Sequence, residues 1–131
     1  MDLPKLYVAF FRPRYGNYQH WGLYLESDPE HLVFEVTGEH PSFERHIETR
    51  RPERMEGFFH LLYVAALGKN DVDIVKRVAA MVTVDNETVE WDCQEYVLDM
   101  LDTLEEEFVL DRDDEDYQRA REFLRERRGP N

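Results

Sequence analysis

Cys93 is the only cysteine in the 131-residue chain. It stands where a helix should begin. Asp92 before it is a good N-cap residue, and Glu95 three positions later completes a capping-box pattern. Tyr96, Val97, Met100, Leu101, Leu104 and Phe108 then recur at helical spacing, which predicts a helix to about Val109–Leu110. Cys93 is thus the first residue inside that helix, where free backbone N–H groups and the positive end of the dipole favour a thiolate. A lone cysteine is more often a small buried apolar residue. Its place at a helix start, with a histidine upstream, shifts the balance toward a nucleophile.

A nucleophilic cysteine needs a base, and usually a third group that orients the base. Five histidines are available: His20, His31, His40, His46 and His60. His20 enters a strand after a loop, where a side chain can face a cleft, and it is the candidate base. His31 reads as a turn residue, His40 and His46 as surface residues, and His60 as a histidine of the core. Glu35 lies between Phe34 and Val36 in an otherwise apolar strand and shares a face with Val33 and Thr37. A carboxylate there either faces solvent or holds a partner, because an unpaired buried charge is costly.

The elements that must position these groups follow from composition and pattern. Leu6–Phe11, His20–Leu25 and Leu32–Val36 read as three strands with turn signals between them, an antiparallel meander. Gly16-Asn17 marks a loop or a hairpin tip. Residues 43–54 read as an edge strand and a loop. Phe58–Leu67 reads as a fully buried strand, with a helix as the competing assignment. Asp71 or Asp73 can cap a helix to about Val82. A charged helix at about 113–128 closes the chain, with Asp113 to Asp116 at its N-terminus and Arg125, Arg127 and Arg128 at its C-terminal end; Gly129-Pro130 stops it. The acidic run suits a helix start better than a metal site, so no metal is expected. The expectation is one α+β domain over residues 1–131, with a small antiparallel sheet of four to five strands packed against the cysteine helix and one or two others.

The formal net charge of -13 repels phosphate backbones and anionic lipid, which excludes nucleic acid as a simple electrostatic partner. A single cysteine forms no internal disulfide and suits a reducing compartment. The N-terminus lacks the pattern of a secretory leader, and the longest apolar run falls short of the roughly 20 residues of a bilayer span. A cytoplasmic protein with no integral membrane segment is expected.

Phe11-Arg12-Pro13, Tyr18-Gln19-His20-Trp21-Gly22-Leu23-Tyr24-Leu25 and Asp92-Cys93-Gln94-Glu95-Tyr96-Val97 together resemble the lecithin:retinol acyltransferase family, within the circularly permuted NlpC-type papain-like superfamily. The likeness spans roughly residues 5–37 and 90–101. It implies a permuted papain-like fold, with His20 as base and Cys93 as the nucleophile that forms a thioester acyl-enzyme. It implies a role for Arg12 at the site or its oxyanion, and for the backbone N–H of Cys93 as an oxyanion donor. Glu35 stands where that family has a second histidine, and a carboxylate also orients an imidazole. The spacing from Arg12-Pro13 to His20 is about three residues longer than in the family. The chain closes on a charged helix where lipid-active relatives often carry a hydrophobic segment, which points toward a soluble substrate.

The expected site is catalytic Cys93, His20 and Glu35, with Arg12, Tyr18, Trp21 and Gln94 binding substrate and no cofactor. Tyr15 is a further aromatic loop residue that could line an apolar cleft. The expected function is a soluble thiol hydrolase or acyltransferase acting on a small-molecule, lipid or peptide acyl, amide or ester bond. The alternative is a non-catalytic binding module on the same fold. A redox-sensing cysteine is a third reading and lacks a resolving partner.

Overall fold

The computed structural model describes residues 2–14 and 16–129. Tyr15 and Pro130, both named above, lie outside the described residues. Five strands form one antiparallel sheet: β1 (Lys5–Phe11), β2 (His20–Ser27), β3 (Glu30–Thr37), β4 (Glu44–Glu48) and β5 (Phe58–Ala66). Their spatial order is β4-β3-β2-β1-β5. Three helices follow: α1 (Asp71–Met81), α2 (Cys93–Glu106) and α3 (Glu115–Arg127). The α+β class and the cysteine-bearing helix against a small sheet are as the residue pattern predicts.

Strand alternation divides the sheet into two unequal faces. Leu6, Val8 and Phe10 of β1, Trp21, Leu23 and Leu25 of β2, and Leu32, Phe34 and Val36 of β3 share the large core with the helices. On α2 the stripe Tyr96, Val97, Met100, Leu101 and Leu104 is fully buried against them. Truncating Met100 or Leu101 to Ala would cost about 2–5 kcal/mol, the usual range for a core cavity. The opposite face carries a thin second cluster of Ala9, Phe11, Tyr24, Val33 and Met55. His20 and Glu35 belong to that thin face by alternation, near the end of the sheet where α2 begins.

Four expectations are corrected. The run at 58–67 is a strand, but it is not fully buried: β5 lies at the sheet edge, and only Val64 within it is buried. The cap of α1 is Asn70, and its side chain makes no cap bond; Asp71 instead accepts from the Gly68 N–H at 2.9 Å. Helix α2 stops at Glu106 because Phe108 turns the backbone left-handed, at φ 61°. Glycine is the usual residue at such a helix end, and here a phenylalanine, 93% exposed, takes it. His60 is exposed, and its ring is held between Phe10 and Phe123, with centroids 5.4 and 5.5 Å away.

Candidate active site

Helix α2 starts where local chemistry says it should. The Asp92 carboxylate accepts from the N–H groups of Gln94 (3.0 Å) and Glu95 (3.2 Å). It does not take the N–H of Cys93. The capping box is only half formed, because the Glu95 carboxylate turns outward and accepts from Arg128 Nε at 2.9 Å.

Cys93 is 9% exposed, and its sulfur packs on the backbone at the start of β2. There Sγ donates to the Gln19 carbonyl at 3.9 Å and meets the Trp21 N–H. Those groups are available because β2 and β3 pair in register only from Leu23 and Phe34 onward.

In the same region the candidate base is held by a carboxylate. His20 Nε2 lies 2.5 Å from Glu35 Oε1, and both side chains are buried. A carboxylate only accepts, so the ring proton sits on Nε2, and Nδ1 is left with the lone pair. Arg14 Nη1 donates to the same carboxylate oxygen at 3.2 Å, while its guanidinium lies over the Phe11 ring at 5.1 Å. His46 Nε2 approaches the other oxygen at 3.9 Å from β4, where it stands directly opposite Glu35. Glu35 is 1% exposed and therefore meets the condition for a buried carboxylate: it holds partners.

His20 and Cys93 face one cleft of about 90 Å³, lined also by Arg14, Tyr18, Thr37, His40, Phe43 and Asp92. No hydrogen bond joins the His20 ring to the sulfur among the described residues. One wall of the cleft is the turn after β3. There Gly38 has φ 90°, and a Cβ would lie 2.9 Å from the Ser42 carbonyl oxygen, so only glycine fits.

Electrostatics set both groups neutral at rest. Burial pushes the Cys93 thiol up to about 11, and the neighbouring Asp92 adds to that; the Trp21 N–H and the charges of Arg128 and Arg14 pull the other way. The expected thiolate preference of a helix start is thus overridden by desolvation and by the N-cap carboxylate. Burial also lowers the His20 pKa below its usual 6.5, against the raising effect of the Glu35 hydrogen bond. Tyr18 is raised, first by burial and then by Asp92 and Cys93.

The other expected site residues divide. Tyr18 lines the cleft. Arg12 is exposed and outside it, and its backbone N–H bonds the Gly57 carbonyl at 2.8 Å. The arginine of the cleft is Arg14. Trp21 is fully buried in the core against Phe10, since its neighbour His20 uses the other face of the strand. Gln94 is also fully buried. Its Nε2 donates to the Gln19 carbonyl (2.9 Å), and its Oε1 accepts from Arg128 and the Gly129 N–H (both 2.8 Å). It joins the loop before β2 to the C-terminal segment and does not face the cleft. His40 and Phe43 were not anticipated there. Among the described residues no group of His, Cys, Asp or Glu side chains is arranged to hold a metal ion. No described helix is long and apolar enough to cross a membrane.

The fold and site define a small α+β protein with a cysteine at a helix start and a histidine–carboxylate pair on one cleft. The chain belongs to DUF6540, a family of unknown function, whose model matches residues 6–111. That match contains Arg14, His20, Glu35 and Cys93 and stops before α3. No curated protein and no solved structure matches the chain.

Proposed function

We propose that the protein is a cysteine-dependent hydrolase or acyltransferase that works through a thioester acyl-enzyme. The observation that carries this reading is the buried His20–Glu35 pair opening on the same cleft as Cys93. A buried carboxylate 2.5 Å from His20 Nε2, on a cleft that the cysteine also lines, fits a general base better than a structural histidine. The resemblance to the lecithin:retinol acyltransferase and NlpC-type papain-like enzymes supports the same assignment.

Because both groups are neutral at rest, the cysteine loses its proton as it attacks. Sγ adds to the carbonyl carbon, and His20 Nδ1 takes the thiol proton. Glu35 holds the ring in the Nε2–H tautomer and stabilises the imidazolium. The Cys93 N–H, left free by Asp92, donates to the developing oxyanion. His20 then returns the proton to the leaving alcohol or amine, and the thioester remains. Water or an amine attacks the thioester, gives its proton to His20, and the thiol is restored. The substrate is a small molecule, lipid or peptide with an acyl, amide or ester bond, and the compartment is the reducing cytoplasm.

One observation favours a second reading, a binding module with no turnover: the sulfur bonds the Gln19 carbonyl and not the base. The two separate on intact mass after incubation with a p-nitrophenyl acyl ester. An acyl adduct on Cys93 that hydroxylamine removes, absent from Cys93→Ala, is expected. No adduct on the wild-type chain, or an equal one on Cys93→Ala, would overturn the catalytic reading.

A further inference from the structure

The C-terminal segment reaches back to the start of the cysteine helix. Arg128, the residue after α3, donates Nε to Glu95 Oε1 at 2.9 Å and Nη1 to Gln94 Oε1 at 2.8 Å. Its Nη1 and Nη2 each lie 3.3 Å from an Asp92 carboxylate oxygen, and Nη2 reaches the Glu90 carbonyl at 3.2 Å. One guanidinium thus reaches Glu90, Asp92, Gln94 and Glu95, on both sides of Cys93. The Gly129 N–H adds a bond to Gln94 at 2.8 Å.

This contact resolves a conflict in the site. Asp92 is needed as the N-cap, yet its carboxylate stands beside the sulfur and opposes ionisation there. We propose that Arg128 is a positioning residue for the nucleophile: it cancels the charge of Asp92 and fixes the first turn of α2, so that Cys93 can give up its proton. This deepens the catalytic reading of the same site and rests on it. It also assigns a role to a residue that lies beyond the family match.

Several charges face the sulfur. Asp92 comes from its own helix start, Arg128 from the end of α3, and Arg14 from the loop after β1. His20 from β2 and Tyr18 before it complete the cleft wall, with Glu39 at its rim. Of these cations, Arg128 alone pairs with Asp92. Arg14 is committed to Glu35.

The test is the rate of Cys93 alkylation by iodoacetamide at fixed pH on the full chain. In Arg128→Gln the rate should fall roughly tenfold, equivalent to about one unit in the thiol's pKa. Asp92→Asn in that background should restore it, because asparagine still caps the helix but carries no charge. Arg128→Lys, which keeps the charge if Arg128→Gln does not fold, should stay within about twofold of wild type. A merely structural clamp gives the opposite sign: loosening it exposes the sulfur and speeds alkylation. An unchanged or faster rate in Arg128→Gln, a loss that Asp92→Asn does not restore, or a large loss in Arg128→Lys would overturn the proposal. His20→Ala in the same assay separates the two ideas. If it leaves the rate unchanged while Arg128→Gln lowers it, the base assignment fails and the charge role of Arg128 stands.

Discussion

The two halves of the candidate site are in different states of readiness. The strand-borne half, His20 with Glu35, is hydrogen-bonded, buried and backed by Arg14 and His46. The helix-borne half, Cys93, is a neutral thiol that touches backbone and meets no base. The difference follows from what each half is built on. His20 and Glu35 lie just beyond the five paired residues of β2 and β3, and each is held by its other neighbour strand, His20 opposite Phe11 of β1 and Glu35 opposite His46 of β4. The cysteine depends on a helix start whose own cap brings an adverse charge. On the proposed reading the base is preorganised, and the nucleophile is activated only as it reacts.

Removing the prepared half should cost most. His20→Ala is expected to lower the rate of acyl-adduct formation by about 10²–10⁴-fold, the usual yield of general base catalysis. A loss under about threefold would mean that the pair has no part in proton transfer. The pH profile sharpens the point. Base catalysis requires neutral His20, so kcat/KM should fall on the acid side with a midpoint below 6.5. Above that it should hold a plateau, because neutral thiol with neutral base is the populated form up to about 11. An alkaline limb near neutrality would instead indicate a thiolate–imidazolium pair at rest.

Next in size is Glu35→Ala. Arg14 is partly exposed and can turn to water, and His20 can stay neutral, so the loss falls below that of a fully buried ion pair. About 2 kcal/mol in urea unfolding is expected. The His20 midpoint should move further down, since the carboxylate is what raises it. The pH dependence of wild-type stability has a fixed sign. The native pKa of His20 lies below 6.5, so the unfolded chain binds that proton more tightly. Its contribution is whole above pH 6.5 and declines as pH falls through that value.

The smallest effect should come from Gly22. An added Cβ there would lie 2.7 Å from Val33 Cγ1, and Glu35 is two residues along the same face of β3. Gly22→Ala should push β3 off β2, cost about 1 kcal/mol, the low end of the overpacking range, and slow adduct formation by lengthening the His20–Glu35 contact. Val33→Ala should recover part of both. Full activity in Gly22→Ala would show that the pair tolerates slack.

The strands and the α2 cap were legible in the sequence because their causes are local: composition with turn residues for one, an aspartate one residue before the helix for the other. His20, Glu35 and Cys93 were legible as residue types whose surroundings made them odd. Trp21 could have been placed too. If His20 faces the cleft, alternation sends its neighbour into the core. Gln94 likewise follows Cys93 by one helical step and points elsewhere. Arg14 had only a weak signal, namely that a carboxylate in an apolar strand needs a cation. Nothing local separates it from Arg12, since the pairing spans 21 residues and depends on how the loop leaves β1. The contacts of Arg128 are made over 33 to 38 residues and leave no local trace. The left-handed turn at Phe108 carried no glycine to announce it.

Strand β5 has a bearing on how copies of the chain behave together. It ends the sheet with nine residues that include no Asp, Glu, Lys or Arg. An edge of that kind is a template for pairing with another chain. Register shifts opposite Leu6/Tyr7 and Phe10/Phe11 interrupt its regular spacing, and a net charge of -13 holds neighbours apart. The second protection is ionic and is screened within about 10 Å at 0.1 M salt. The colloidal stability of the protein therefore rests on its acidic charge, and it weakens as ionic strength rises.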